Sequence, residues 1–323
     1  MSGRVVVVGS YNQDLVWEVD ALPAPGETRA GIAFRSGPGG KGFNQAVAAA
    51  RAGANTTFIG ALGNDALAAG ARALAQTEGL DARFETITDA ATGTAGILVD
   101  AQGRNSIVVA LGANARLTVA HVEAQADAFR DAAVVLAPLE SPLDAVLTAL
   151  RLGRAAGART VMNPAPVHAS LDATSFADVD LLTPNESEMA ALLARIDGSR
   201  AEPATLRDLP DDALASLCAR LPVRAVLVTL GDAGAVIAPG AARGDAPLAA
   251  VTRVPAAAVR AVDTTGAGDA FNGALAAAWA TRPGADLSTL LPFAVQFAGL
   301  STERRGAAAA MPVRADVLAR FGG

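Results

Sequence analysis

The sequence predicts an α/β protein built on a mostly parallel central sheet with helices on both faces. Short β-branched apolar runs alternate with alanine-rich helical stretches along most of the chain. Such a strand-then-helix rhythm is satisfied by parallel pairing with helical crossovers. Two further pairs of extended runs have no helix between their members, so they fit that sheet poorly and point to a small separate one.

In chain order, residues 5–9 read as a buried strand, 41–51 as a helix, 57–60 as a strand and 65–78 as a helix. Strands follow at 133–137, 160–162, 179–182 and 225–229. Helices separate them at 119–129, 143–156, 186–195 and 211–221, and another covers 273–280. The rhythm breaks at 14–20 and 27–34, a strand pair around Pro23-Ala24-Pro25-Gly26. It breaks again at 94–99 and 105–109, a hairpin across Asp100-Ala101-Gln102-Gly103. These four strands form either a lid over the ligand-binding edge or ordinary surface hairpins.

Composition narrows the function classes. The 323 residues are 51% hydrophobic, enough for one large domain or two smaller ones with ample core. A net charge of -6 with scattered arginines and lysines argues against nucleic acid or an anionic membrane as the main partner. Cys218, the single cysteine, excludes an intramolecular disulfide and reads as a small buried apolar residue. The apolar run Val5 to Val8 is far too short for a signal segment or a membrane span, so a soluble cytoplasmic protein is expected. With His121 and His168 the sole histidines, both read as structural, an enzyme built on this chain would use a carboxylate as its base.

Two glycine-rich segments carry the chemistry. Asp263-Thr264-Thr265-Gly266-Ala267-Gly268-Asp269-Ala270-Phe271-Asn272 precedes a strongly helical stretch. The free N–H groups of a helix start carry the positive end of the dipole, and Gly266 and Gly268 would let a phosphate approach them. Asp269 stands in the same turn as a carboxylate able to take a proton. Taken alone, the segment is more simply an ordinary helix start, with Thr264 and Thr265 as N-caps. The second segment, Ser36-Gly37-Pro38-Gly39-Gly40-Lys41-Gly42-Phe43-Asn44-Gln45-Ala46, formally matches G-x-G-x-x-G. The strand before it reads as lid and not as the first core strand, which argues against a dinucleotide site. Arg35 and Gly42 occupy two defining positions of a P-loop, which excludes that motif. What remains is either a loop of backbone donors with Lys41 and Asn44 for a small polyhydroxylated ligand, or a structural turn.

Together the two segments resemble the signatures of the ribokinase family of carbohydrate kinases, also called the phosphofructokinase B family. The resemblance extends over nearly the whole chain, through Gly9-Ser10-Tyr11-Asn12-Gln13-Asp14, Pro25-Gly26-Glu27, Leu139-Glu140-Ser141-Pro142 and Asn163-Pro164-Ala165-Pro166. It continues in Thr183-Pro184-Asn185-Glu186-Ser187-Glu188 and Thr229-Leu230-Gly231-Asp232-Ala233-Gly234.

The resemblance implies a ribokinase-like fold in one domain over 1–323, with a β-sheet lid from insertions at about 14–36 and 94–110. It implies an ATP-dependent sugar kinase acting on ribose; the alternatives are 2-deoxyribose, another sugar or a nucleoside, and a non-catalytic sugar-binding regulator. Asp269 matches the family's catalytic base, and Gly266, Ala267 and Gly268 its anion hole. Asn12, Asp14, Gly40, Lys41, Asn44 and Glu140 match sugar-binding positions. Asn185, Thr229, Gly231, Gly234 and Gly268 match nucleotide-contacting positions, and Glu188 matches the acidic residue that organises magnesium. A potassium ion is implied beside the anion hole, with Asp263, Thr265, Ser301, Arg304, Gly306 and Ala310 as the matching positions, largely through backbone carbonyls. Ala310 departs from the serine that family members usually carry, which removes a side-chain oxygen there. Tyr11, Trp17 and Phe43 are bulkier than the family's residues. A homodimer through the lid is also implied; Val16, Trp17, Ile32 and Phe34 would serve such a contact or pack the lid onto its own domain.

Overall fold

The computed structural model describes residues 3–242 and 251–322. Its elements are β1 (Arg4–Val8), β2 (Asn12–Glu18), β3 (Ala33–Gly39), α1 (Lys41–Arg51), β4 (Asn55–Gly63), α2 (Ala66–Thr77), β5 (Asp81–Ile87), β6 (Thr94–Val99) and β7 (Asn105–Ala110). There follow α3 (Val119–Ala124), α4 (Ala126–Arg130), β8 (Ala132–Pro138), α5 (Leu143–Ala155), β9 (Arg159–Asn163), β10 (Leu181–Leu182), α6 (Glu186–Ile196) and α7 (Asp211–Cys218). The chain continues through β11 (Ala225–Thr229), β12 (Ala235–Pro239), β13 (Thr252–Val254), α8 (Ala267–Thr281), α9 (Leu287–Ser301) and α10 (Arg314–Phe321).

Among the described residues, nine strands form one sheet in the order β13-β12-β11-β10-β9-β8-β1-β4-β5. Neighbours from β5 to β11 are parallel, and β12 and β13 are antiparallel additions at one edge. The pleat of β1 divides the molecule into two cores. Val5 and Val7 face one with α1, α8 and α9, and Val6 and Val8 face the other with α5, α6 and α7. All four valines are fully buried, each stabilising the fold by about 1.5–3 kcal/mol in transfer terms.

A second sheet, β3-β2-β6-β7, stands apart. It pairs β2 antiparallel to β3 and parallel to β6, with the hairpin β6–β7 at its edge. The hairpin falls where the sequence puts it. The partner of β2 differs: residues 27–32 are irregular, and β3 runs through Ser36, Gly37, Pro38 and Gly39. What reads in sequence as a glycine loop is therefore a strand that passes into α1 at Gly40. A φ of +86° makes that turn possible, and a Cβ there would stand 2.6 Å from Asn12 N.

Other expectations shift at their ends. The helix expected at 119–129 is two short ones, α3 and α4, and β10 is a two-residue strand within the expected 179–182. Helix α7 stops at Cys218, which is buried as expected. Strands β5, β12 and β13 and helices α9 and α10 have no counterpart in the sequence reading. No helix of the described residues is long and apolar enough to cross a membrane.

The contact that positions everything below is the packing of α8 on α1. Both helices present alanines and glycines, so their backbones approach closely; a Cβ on Gly273 would stand 2.5 Å from Ala48 Cβ and 2.8 Å from Ala49 N. Gly273→Ala is therefore expected to force the helices apart and cost ~1–3 kcal/mol, the usual range for overpacking a close contact. Urea unfolding of the two proteins checks this, and an unchanged midpoint would contradict the close packing.

Candidate active site

The parallel strands deliver the candidate residues at their C-terminal ends, on the edge where open α/β sheets bind ligands. Ser10 follows β1, Glu140 follows β8, Asn163 ends β9, Thr183 and Asn185 follow β10, and Thr229 ends β11. The order reverses at β1, which lies between β8 and β4.

Asp269 sits in the first turn of α8 and is 6% exposed. Its Oδ2 accepts a hydrogen bond from Asn44 Nδ2 at 2.9 Å, and its Oδ1 accepts one from Gln45 Nε2 at 2.9 Å. Gln45 Nε2 also donates to Asn163 Oδ1 at 3.0 Å, and Asn163 Nδ2 donates to the Thr183 carbonyl at 3.0 Å. Thr183 Oγ1 donates to Asn272 Oδ1 at 2.6 Å, and Asn272 Nδ2 donates to the Gly268 carbonyl at 2.8 Å. The chain of bonds thus leaves the carboxylate through Gln45 and returns to the turn that carries it.

That turn is not capped by a threonine. Gly266 is the N-cap residue in the left-handed conformation with φ +75°, and no side chain bonds the helix start. Ala267 N–H turns back to the Thr264 carbonyl at 3.1 Å, and the N–H groups of Gly268 and Asp269 are left for a ligand. A Cβ on Gly268 would meet nothing within 4 Å, so the space before this turn is open. Thr265 N–H instead donates to Asp263 Oδ1 at 3.0 Å, and Asp263 Oδ2 accepts from Gly306 N–H at 2.9 Å. The Asp263 carboxylate thereby ties the turn to the loop after α9. Burial pushes its pKa up, but the Gly306 N–H, the Thr265 side chain and N–H, and Arg35 together outweigh burial and hold it below the usual value.

Asn12 and Asp14 lie two apart on β2 and so share a face. Gly39 leaves the room that the Asp14 carboxylate fills, since a Cβ there would collide with it. Glu140 Oε2 accepts from Ser10 Oγ at 2.6 Å and from the Lys41 N–H at 3.0 Å, pinning the ends of β1 and β8 to the start of α1. Lys41, Asp269, Glu140, Glu188 and Asp14 form one electrostatic cluster. The lysine is raised chiefly by the Asp269 charge, against its own burial. Asp269 is raised by burial, against Lys41 and the two amide donors. Asp14 is pushed up to about 7 by burial, then by Glu140 and Asp269, with Arg35 opposing.

Farther along the edge, Asn185 caps α6 through a reciprocal box: Glu188 N–H donates to Asn185 Oδ1, and Asn185 N–H donates to Glu188 Oε2, each at 2.9 Å. Burial raises the Glu188 carboxyl. Among the described residues no three His, Cys, Asp or Glu side chains gather as a metal cluster, so a divalent ion beside Glu188 would take most of its ligands from phosphate and water. Thr229 N–H donates to the Pro184 carbonyl at 3.0 Å, which brings β11 beside Asn185. Gly231 and Gly234 follow at φ +56° and +91°.

The positions matched to a monovalent cation include both partners of the Asp263–Gly306 contact. Among the described residues no backbone N–H donates to the carbonyl oxygens of Asp263, Thr265, Gly306 or Ala310. Such free carbonyls suit a hard cation. Ser301 Oγ turns back to the Ala298 carbonyl at 2.7 Å, Arg304 pairs with Asp316 at 3.7 Å, and the Ala310 methyl is buried. A cleft of about 730 Å³ separates Asp14 and residues 35–38 from residues 261–265 and 305–307. Arg305 Nη1 crosses it to Glu18 Oε1 at 2.9 Å, joining the small sheet to the loop after α9.

Sequence reasoning assigned no role to Ser10, Gln45, Asn114, Asn163, Thr183, Asn272 or Arg305. Most lie inside the quoted motifs, yet their bonds span up to 287 residues of sequence, which no local pattern encodes.

Fold and site together define a kinase of small hydroxylated molecules. A family model for pfkB family carbohydrate kinases matches residues 2–314, and the chain belongs to that family of phosphotransferases with an alcohol acceptor. It is 37% identical to a ribokinase of Schizosaccharomyces pombe over 98% of both chains. Among solved structures, a ribokinase from Thermotoga maritima superposes with a TM-score of 0.85 at 30% identity, covering 100% of both chains. An Arabidopsis thaliana ribokinase complexed with ribose and ATP superposes with a TM-score of 0.80 at 28% identity, covering 99% of this chain and 98% of that one.

Because folded Asp14 titrates near 7 and not at the usual 3.8, the folded state keeps a proton that the unfolded chain releases. Stability linked to this group is present below about pH 4 and is lost as pH rises to about 7. Asp14→Asn abolishes that loss. Its Tm advantage over wild type is expected to be small at pH 4, to grow up to pH 7 and to level off above. Thermal scans across that range check the sign; a constant or shrinking difference would contradict it.

Proposed function

We propose that this chain is an ATP-dependent ribose kinase, transferring the γ-phosphoryl group of ATP to the primary hydroxyl of D-ribose to give ribose 5-phosphate and ADP. The observation that carries the reading is the buried Asp269 carboxylate, held by Asn44 and Gln45 one residue from the open, uncapped start of α8. In this reading Asp269 takes the proton of the sugar hydroxyl as its oxygen attacks the γ-phosphorus in line, and the bond to the β-phosphate oxygen breaks. Burial makes the carboxylate a stronger base, while Lys41 and the two amides keep its anion accessible. The N–H groups of Gly266, Ala267 and Gly268 would meet the charge on the transferring group, Ala267 turning from the Thr264 carbonyl to do so.

Asn12, Asp14, Gly40, Lys41, Asn44 and Glu140 are the proposed sugar contacts. Asn44 Nδ2 is committed to Asp269, and its buried Oδ1 has no partner among the described residues, which leaves an acceptor for a sugar hydroxyl. Asn185, Thr229, Gly231, Gly234 and Gly268 are proposed to bind the nucleotide. Magnesium beside Glu188 would neutralise phosphate charge when bound. Potassium is proposed at the carbonyls of Asp263, Thr265, Gly306 and Ala310, with Ser301 and Arg304 bordering them, and would steady the turn through Asp263. The edge strand β7 exposes Ile107, Val108 and Val109 at 50%, 73% and 45%, and β3 at the opposite edge exposes Phe34. Such an unprotected apolar edge favours a homodimer through the lid. A cytoplasmic location is proposed with the metabolic role.

An ADP-release assay over ribose, 2-deoxyribose, fructose and adenosine, with potassium or tetramethylammonium, tests the reading. Ribose is expected to give the highest kcat/KM and potassium to raise it; turnover confined to adenosine would overturn the assignment. Asp269→Asn is expected to fold normally and lose ~10²–10⁴ in kcat, the span of general-base catalysis. Turnover near wild type in that variant would remove Asp269 from its role.

A further inference from the structure

Asn114 lies in a short 3-10 turn at Gly112–Arg116, far from the glycine segments in sequence, and is fully buried. Its Oδ1 accepts from the Tyr11 N–H at 3.0 Å, and its Nδ2 donates to the Tyr11 carbonyl at 2.8 Å. These two backbone partners fix the orientation of the Asn114 amide, because a backbone N–H can only donate and a carbonyl can only accept. The second Nδ2 hydrogen points at Asn12, 2.9 Å away, where it requires an acceptor. The side-chain oxygen of Asn12 must therefore face Asn114. Gly93 makes room for this contact, since a Cβ there would collide with both side chains.

The consequence falls on Asn12 Nδ2. With the oxygen committed, the NH₂ group is left on the other branch of the amide, and it meets no acceptor among the described residues. Asn12 is 3% exposed. Unlike Asn44 Oδ1, this Nδ2 is not sealed off from the site, so a ligand oxygen can take the place of water as its acceptor. Asn12 and Asp14 share one face of β2, so the pair offers a donor beside a carboxylate acceptor. That combination suits a hydroxyl, which accepts from one and donates to the other.

We propose that Asn114 is a positioning residue for sugar recognition, acting through Asn12: it fixes the Asn12 amide so that the site presents an N–H donor to a sugar hydroxyl. The assignment rests on the ribose-kinase reading above. Removal of Asn114 frees the Asn12 amide to turn over, and sugar binding then suffers while ATP binding does not. A site built to bond a hydroxyl loses its discrimination when the bonding partner is no longer held.

The test is a double-mutant cycle of Asn114→Ala and Asn12→Ala, read as KM and kcat for ribose and KM for ATP. In the wild-type background Asn114→Ala is expected to raise KM for ribose ~10-fold, the loss of one oriented hydrogen bond. Its kcat and its KM for ATP should stay within about 2-fold of wild type. In the Asn12→Ala background the same change should alter KM for ribose by less than about 2-fold, because the residue it acts through is gone. Should Asn114→Ala fail to fold, Asn114→Ser carries the same cycle, since its one O–H cannot donate to both the Tyr11 carbonyl and Asn12 Oδ1. Equal losses in both backgrounds, or parallel losses for ribose and ATP, would overturn the assignment and leave the ribose reading standing. A wild-type protein inactive on ribose would overturn both.

Discussion

The rest of the structure depends on the close crossing of α1 and α8. Asp269 belongs to α8, and the two amides that hold its oxygens are consecutive residues of α1. Consecutive helical positions point about 100° apart, so Asn44 and Gln45 can straddle one carboxylate only when the helices nearly touch. Small residues at the crossing allow that approach. The same crossing leaves Gly266 to Gly268 uncapped beside the carboxylate. The proposed base and the proposed anion cradle therefore come from one helix start, held in register by its neighbour.

Electrostatics of the site follow from this packing. Four carboxylates and one lysine share a half-dry pocket, and burial raises Asp14, Asp269 and Glu188 together. Lys41 opposes the rise at Asp269 and Glu188. Asp14 has Arg35 in opposition, and that guanidinium comes from the small sheet. Charge balance at the proposed sugar site is thus coupled to the position of that sheet, which Arg305 also ties to the loop after α9.

Much of this was legible in the sequence, for identifiable reasons. Helix α1 coincides with its predicted span because Ala46 to Ala50 is an alanine-rich run and Gly53 follows soon after Arg51. The β6–β7 hairpin was legible because β-branched runs flank a turn closed by Gly103, whose φ is +76°. Strand β3 was placed too early, since Gly37, Pro38 and Gly39 read as loop; their strand character comes from pairing with Gln13, Asp14 and Asn12, not from propensity. Thr264 and Thr265 read as caps, yet Asp263 takes the Thr265 N–H and Gly266 takes the cap position. Strand β5 went unseen because its residues are half-exposed and polar, and α9 because its residues are too uniformly apolar to show a face. Within the site, Asp269 stands out as a carboxylate beside two glycines, but its role reads from the family resemblance and not from the turn alone. Gln45, Asn163 and Asn272 could not, because each acts through a partner distant in sequence: Gln45 bonds Asp269 across 224 residues.

Asp269 is proposed as the base that faces the sugar's primary hydroxyl while the start of α8 faces the transferring phosphate. The most direct measurement is a crystal structure with ribose and a non-hydrolysable ATP analogue bound together. The primary hydroxyl oxygen is expected within about 3 Å of an Asp269 oxygen, and the γ-phosphate on the N–H groups of residues 266–268. A primary hydroxyl bonded instead to Asp14 or Glu140, with Asp269 still enclosed by Asn44 and Gln45, would contradict it.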